Sequence, residues 1–167
     1  IEEVGSDLVG QFTVGQSVAV QPAMGLESGY SPGYSYPYYG GDATYCIIPK
    51  VAVDKGCVLP YSGTYFANAS LAEPMSCIIG AFRASYHTEP YVYEHEMGIR
   101  KDGRLALLGA GGRMGVGAVD YALHGPVSPR QVVAVDVDQE RLQRLRSLFP
   151  PDESAARGID LVYGGGR

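Results

Sequence analysis

The sequence predicts an α/β chain whose second half is a parallel sheet wrapped by helices. Three observations carry this reading. Short apolar runs at 104–108, 131–135 and 158–163 alternate with two segments of helical period. A glycine-rich turn joins the first run to the first helix, and an aspartate, Asp136, closes the second run. Strands apolar on both faces need cover on both sides, which the crossover helices of a parallel sheet supply.

The second half reads in order. Arg104-Leu105-Ala106-Leu107-Leu108 is the first strand, and residues 112–123 form a helix with Met114, Val116, Ala118, Val119 and Ala122 along it. Gly125 and Pro126 end that helix. Gln131-Val132-Val133-Ala134-Val135 is the second strand, and residues 138–148 form a helix whose stripe is Leu142, Leu145 and Leu148. Pro150-Pro151 stops it, and residues 158–163 give the third strand.

The first half has a different character. Residues 1–22 read as β, with a half-buried strand at 17–21. Residues 23–41, rich in Gly, Pro, Ser and Tyr, read as a long loop: a solvated excursion, or a lobe that covers a site with tyrosine rings. Residues 43–49 and 57–60 return to strand character, with Cys46 and Cys57 as buried thiols. Ser70-Leu71-Ala72-Glu73 has the form of a capping box, and Cys77, Ile78, Ala81, Phe82 and Ser85 follow at helical spacing. Cys77 reads as a small core residue, and Tyr86 and His87 close the helix.

Composition narrows the function classes. The 167 residues are 46% hydrophobic and 19% charged with a net charge of -5, as in ordinary globular proteins. No basic stripe marks a nucleic-acid surface, and no apolar run approaches the roughly 20 residues a membrane helix needs. The opening Ile1-Glu2-Glu3-Val4 is not a secretory leader. Three cysteines without C-x-x-C spacing fit a reducing compartment, so a cytoplasmic location is expected. The abrupt start at Ile1 and the end at Gly164-Gly165-Gly166-Arg167 read as a piece of a longer protein.

The turn Gly109-Ala110-Gly111-Gly112-Arg113-Met114-Gly115 carries the chemistry. A pyrophosphate is drawn to the unpaired amides and positive dipole end of a helix start, and glycines let the backbone approach it. Asp136, about 20 residues on, stands where an acid accepts bonds from the adenosine ribose. Together these features read as the front half of a Rossmann dinucleotide-binding sheet. Met114 occupies the third glycine of the strict G-x-G-x-x-G pattern, so the register Gly109-x-x-Gly112-x-x-Gly115 fits better. Asp136 repels a 2′-phosphate and favours NAD over NADP, which Arg141 and Arg144 could soften unless they are a solvated helix face. Two other classes share a glycine turn. Methyltransferases using S-adenosylmethionine usually carry an acid before the first glycine, where this chain has Leu107-Leu108. Reductases of the dihydrodipicolinate type share Gly112-Arg113-Met114-Gly115 but place it at the chain start.

The order of motifs resembles the zinc-dependent medium-chain dehydrogenases of alcohols, polyols and sugars. Glu3-Val4-Gly5 with Phe12-Thr13-Val14-Gly15-Gln16-Ser17-Val18 is similar to that family's barrel strand, with Gln16 in place of the usual acid. Ala43-Thr44-Tyr45-Cys46-Ile47-Ile48-Pro49 and Glu73-Pro74-Met75-Ser76 are similar to two further family segments. The block 61–87, Met97-Gly98-Ile99 and the Met-Gly turn resemble the L-sorbose 1-phosphate reductase-like branch.

The resemblance implies a partial GroES-like catalytic domain over 1–85 and the first half of a Rossmann domain over 86–167. It implies hydride transfer between NAD(P) and a sugar, polyol or sugar phosphate, zinc-assisted in the full-length protein. Glu73 is the one catalytic and metal-ligand position it carries onto this chain, beside its simpler reading as the capping partner of Ser70. The remaining ligands are expected outside the chain, which alone is expected to be inactive. The resemblance also implies a homo-oligomer. The cofactor set is Gly109, Gly111, Gly112, Arg113, Met114, Gly115, Asp136 and Arg141. His87, His95 and His124 are scattered; His95, within Tyr93-Glu94-His95-Glu96, reads as a surface or interdomain histidine, and Tyr86 and His87 could face the cofactor cleft. The other function class left open is a noncatalytic nucleotide-binding protein.

Overall fold

A computed structural model describes residues 1–165; Gly166 and Arg167 lie outside the described residues. The chain is mixed α/β and divides into two compact units, 1–73 and 74–167.

In the first unit β1 (Val18–Val20) pairs antiparallel with β2 (Val58–Pro60), Val18 opposite Pro60. Between them lie a long irregular stretch and the helix α1 (Lys50–Asp54). The expected strand at 43–49 does not form. Tyr45 and Ile47 stay 74% and 68% exposed, and the Ile47 amide bonds instead to the Tyr38 carbonyl at 2.7 Å. Pro49, held at φ -71° and ψ 150°, starts α1, which the Lys50–Asp54 ion pair at 2.7 Å spans. Cys57 is buried as expected, but Cys46 is exposed because its segment joins no sheet. A small core of Met24, Tyr39, Ala52 and Cys57 forms beneath the loop, so part of the tyrosine-rich stretch is packed rather than solvated. The unit is sparser in strands than the sequence predicts, since its frequent Gly and Pro interrupt the ladders.

Helix α2 (Phe66–Ser70) leads through Leu71 into α3 (Ala72–Ala84). Ser70 is the last residue of α2, its hydroxyl donating to the Ala67 carbonyl at 2.7 Å, not a residue outside the start of α3 as the capping box required. α3 buries Ile78 and Phe82. Cys77, one step round the helix, is exposed and not the core residue expected. Tyr86 and His87 do not close the helix. They form β3 (Tyr86–His87), paired antiparallel with β4 (Glu96–Met97). In this hairpin His87 reaches Glu96 at 3.2 Å and the Gly98 carbonyl at 3.1 Å, and Tyr86 stacks near His95 with centroids 4.2 Å apart.

The parallel sheet has the order β5 (Arg104–Leu108), β6 (Gln131–Asp136), β7 (Asp160–Gly165). β5 and β6 are in register from Arg104 opposite Gln131 to Leu108 opposite Val135. The crossovers are α4 (Arg113–His124), α5 (Gln139–Leu148) and a short α6 (Pro151–Ala155). The two prolines that stop α5 also begin α6, since proline fits the first helical turn. Leu142 and Leu145 are buried, but Leu148, the last residue of α5, is 50% exposed. The core joins Ile78 and Phe82 to Val119, Ala122, Val132, Ala134, Leu145 and Leu161. Phe82 meets Tyr121 edge-on at 5.0 Å. No described helix is long and apolar enough to cross a membrane.

Candidate dinucleotide site

The site lies at the carboxyl ends of β5 and β6. Gly109 leaves β5 at φ +74°, a left-handed conformation that favours glycine. The Gly112 amide folds back to the Gly109 carbonyl at 3.1 Å, and the Ala110 amide reaches the Val135 carbonyl at 2.9 Å. The turn is thereby tied to β6, with Ala110 fully buried. Gly112 then caps α4 with extended backbone and makes no side-chain cap bond. The first amides of α4 have no intrahelical acceptor by geometry, which makes this end a place for an anion.

Asp136 is 5% exposed and ends β6 in the alternating buried register of Val132 and Ala134. The Gly111 amide donates to its Oδ2 at 2.9 Å and the Asp138 amide to its Oδ1 at 3.0 Å. The Asp138 amide, helped by the amides of Gly111 and Val137 and the Arg141 charge, holds the Asp136 carboxyl below the usual carboxylate range against the upward push of burial. Asp136 is therefore an anion at neutral pH, and each oxygen keeps a further lone pair for a donor such as a ribose hydroxyl.

Three glycines carry separate tasks. Gly109 makes the turn. A Cβ on Gly111 would fall 2.5 Å from Arg141 Cβ and 3.1 Å from Asp136 Oδ2. One on Gly115 would fall 2.6 Å from Ala110 Cα, so that glycine permits α4 to press on the turn. The close packing assigned to the third glycine of the usual fingerprint is met at Gly115, one position later, which leaves Met114 outside the contact and 46% exposed. Gly109 and Gly115 of the register read from the sequence stand at the turn and at its contact with α4, Gly112 stands at the helix cap, and Gly111 adds the close approach to Asp136.

Within the second unit the structure brings together the turn, Asp136 and Arg141. Arg113 is exposed on the first turn of α4. Arg141 is held by an ion pair to Asp138 at 3.2 Å. Asp138 was missed in the sequence: it caps α5, its Oδ1 accepting from the Glu140 amide at 3.0 Å and the Arg141 amide at 3.1 Å. An aspartate immediately before a helical run is the signal that finds it. Glu73, the candidate catalytic and metal residue, is an exposed second residue of α3 in the first unit. Among the described residues no group of three or more His, Cys, Asp or Glu is placed to hold a metal ion. Along β5 runs a groove of about 400 Å³ lined by Cys77, Phe82, Ile99, Leu107, Met114 and Ala118.

The chain is similar to three curated proteins. It is 62% identical over 163 residues to a mannitol-1-phosphate 5-dehydrogenase of Aliivibrio fischeri, covering 98% of this chain and 38% of that protein. An uncharacterized Escherichia coli protein, YggP, is 58% identical over the same 98% of this chain and 38% of its own length. An L-sorbose 1-phosphate reductase of Klebsiella pneumoniae is 40% identical over 150 residues, 89% of this chain and 37% of that protein. The chain thus spans well under half the length of these relatives. No protein-family profile and no solved structure matches it.

Proposed function

We propose that this chain holds the dinucleotide of an oxidoreductase that passes hydride between NAD(P) and a sugar, a polyol or their phosphates. The bond from the Gly111 amide to Asp136 at the uncapped start of α4 carries this reading. It sets an anion-binding helix end beside a fixed carboxylate, the pairing a pyrophosphate with an attached ribose requires. The names of two relatives, one a dehydrogenase and one a reductase of sugar phosphates, support the reaction class.

The bound nicotinamide would supply the hydride chemistry. The chain's residues supply the rest. The α4 amides hold pyrophosphate oxygens, Asp136 accepts from the ribose, and Gly111 keeps the approach clear of side chains. The Asp136 charge also repels a 2′-phosphate, so NAD is the preferred form. Zinc does not fit the described residues: Glu73 is a single carboxylate, and one carboxylate is not a metal site. No step is routed through it.

Calorimetric titration with NAD tests the reading. Saturable one-to-one binding that is weakened in Asp136→Ala is expected. The absence of binding by a folded chain would sink it. Turnover of mannitol 1-phosphate, assayed in a protein spanning the full length of the relatives, tests the reaction class.

A further inference from the structure

The loop of the β3–β4 hairpin presents two tyrosine rings to solvent: Tyr91 is 98% exposed and Tyr93 99%. Val92 lies between them in the chain, and Tyr86 and Met97, opposite each other in the hairpin, are exposed as well. Ring faces are apolar surface, and a contiguous patch of such surface marks a contact site.

The backbone beneath the rings is strained. The Val92 amide closes a turn on the Glu89 carbonyl at 3.0 Å, with Pro90 and Tyr91 as its central residues. Tyr91 takes the third position at φ +66°, a left-handed conformation that glycine or asparagine ordinarily supplies. So exposed a ring gains no packing within the chain to offset that strain.

The hairpin rises from the rim of the groove along β5. Ser85 and Ile99, which flank it in the chain, both line that groove, and the Gly98 amide donates to the Ser85 carbonyl at 2.6 Å. An aromatic tip thus stands beside an apolar groove of about 400 Å³ in the same unit. The two differ in charge. The hairpin and its loop hold Glu89, Glu94 and Glu96. Within the second unit the walls of the groove, α3, β5 and α4, carry Arg83, Arg104 and Arg113 and one acid, Asp120, which is paired with His124 at 2.9 Å.

We propose that two copies of this chain exchange these tips: Tyr91 and Tyr93 of one copy enter the β5 groove of the other, Glu94 faces the arginines of its walls, and a two-fold axis repeats the contact. A tip beside a groove on one surface is the arrangement such a self-complementary pair needs. Each tyrosine buries about 150–250 Å². With the matching groove surface and the two-fold repeat, the contact totals about 1,200–2,000 Å², the size of a standard specific interface. The pairing does not rest on the dinucleotide reading.

Sedimentation equilibrium of the chain over a range of concentrations tests this, and a mass rising toward that of two chains is expected. Tyr91→Gly with Tyr93→Ser removes the tip, and Ala81→Trp, at an exposed groove position on α3, fills the groove. Each is expected to weaken self-association by about hundredfold or more. Mixed, the two variants are expected to pair with each other more tightly than either pairs with itself, because one tip still meets one open groove. Tyr91→Gly alone is expected to keep or raise the urea midpoint of the dilute monomer, since glycine fits the left-handed turn. A chain that stays monomeric to about 100 μM overturns the proposal and leaves the tip to a different partner. Association unchanged by either variant, no recovery on mixing, or a lowered midpoint in Tyr91→Gly overturns it too. Should Ala81→Trp lose its cooperative unfolding transition, Ala81→Glu, which repels Glu94, takes its place under the same outcomes.

Discussion

The Gly111 amide donates to Asp136 Oδ2 at 2.9 Å, joining two residues 25 positions apart in the chain. One bond fixes both the shape of the phosphate turn and the aim of the carboxylate. Asp136→Ala removes the acceptor and the charge together. NAD affinity is expected to fall by about tenfold or more, the usual cost of a hydrogen bond to a charged group. Asp136→Asn keeps an acceptor for Gly111 and is expected to lose less. Equal losses in the two variants, by calorimetry, would contradict this.

The same carboxyl makes stability depend on pH. Its folded pKa is lowered, while in the unfolded chain aspartate titrates near about 3.9. Its contribution is therefore fully present above that unfolded value and is lost as pH falls through the lower folded one. Urea unfolding of wild type and Asp136→Asn is expected to show a stability gap that narrows as pH drops below about 4. A gap constant across the acid range would show that the bonds to Asp136 do not favour its charged form.

Gly115 and Gly117 are two residues apart on α4 yet respond differently to alanine. At Gly115 the new methyl meets backbone, Ala110 Cα at 2.6 Å, which cannot step aside. At Gly117 it meets the tip of Ile78, Cδ1 at 2.6 Å, which can rotate away. Gly115→Ala is expected to cost about 1–3 kcal/mol by overpacking and to impair NAD binding. Gly117→Ala is expected to cost less and leave binding intact. Thermal unfolding paired with NAD titration distinguishes them.

Leu145 is fully buried where α5 covers the sheet. Leu145→Ala is expected to cost about 2–5 kcal/mol, read as a lower urea midpoint. Leu148→Ala, at a half-exposed position on the same stripe, is expected to change the midpoint little.

The second unit was legible because each strand is a short apolar run and each helix a repeated stripe. Leu105, Val132 and Leu161 mark the sheet directly, and Asp136 and the turn glycines stand out by position. The first unit was not. The run 43–49 looks like a strand in isolation, but a strand needs a partner, and Ile47 bonds to loop residue Tyr38 instead. The hairpin of β3 and β4 has two residues per strand, too few to show alternation. The burial of Tyr39 depends on Met24, Ala52 and Cys57, contacts that no local pattern encodes. The third glycine of the turn, Gly115, was legible from spacing alone; the part Gly111 plays against Arg141 and Asp136 was not, because those residues lie 25 or more positions away.

The sheet order β5, β6, β7 follows the order of synthesis. Among the described residues the bonds that shape the turn run from Gly109 to Asp138, and none of them involves β7. A chain leaving the ribosome can therefore complete the glycine turn and its bond to Asp136 once α4 and β6 are out, while the residues of β7 are still inside the exit tunnel. On that schedule the dinucleotide proposed for this turn would meet its site before the sheet is finished, and binding there would steady the half-built sheet against aggregation.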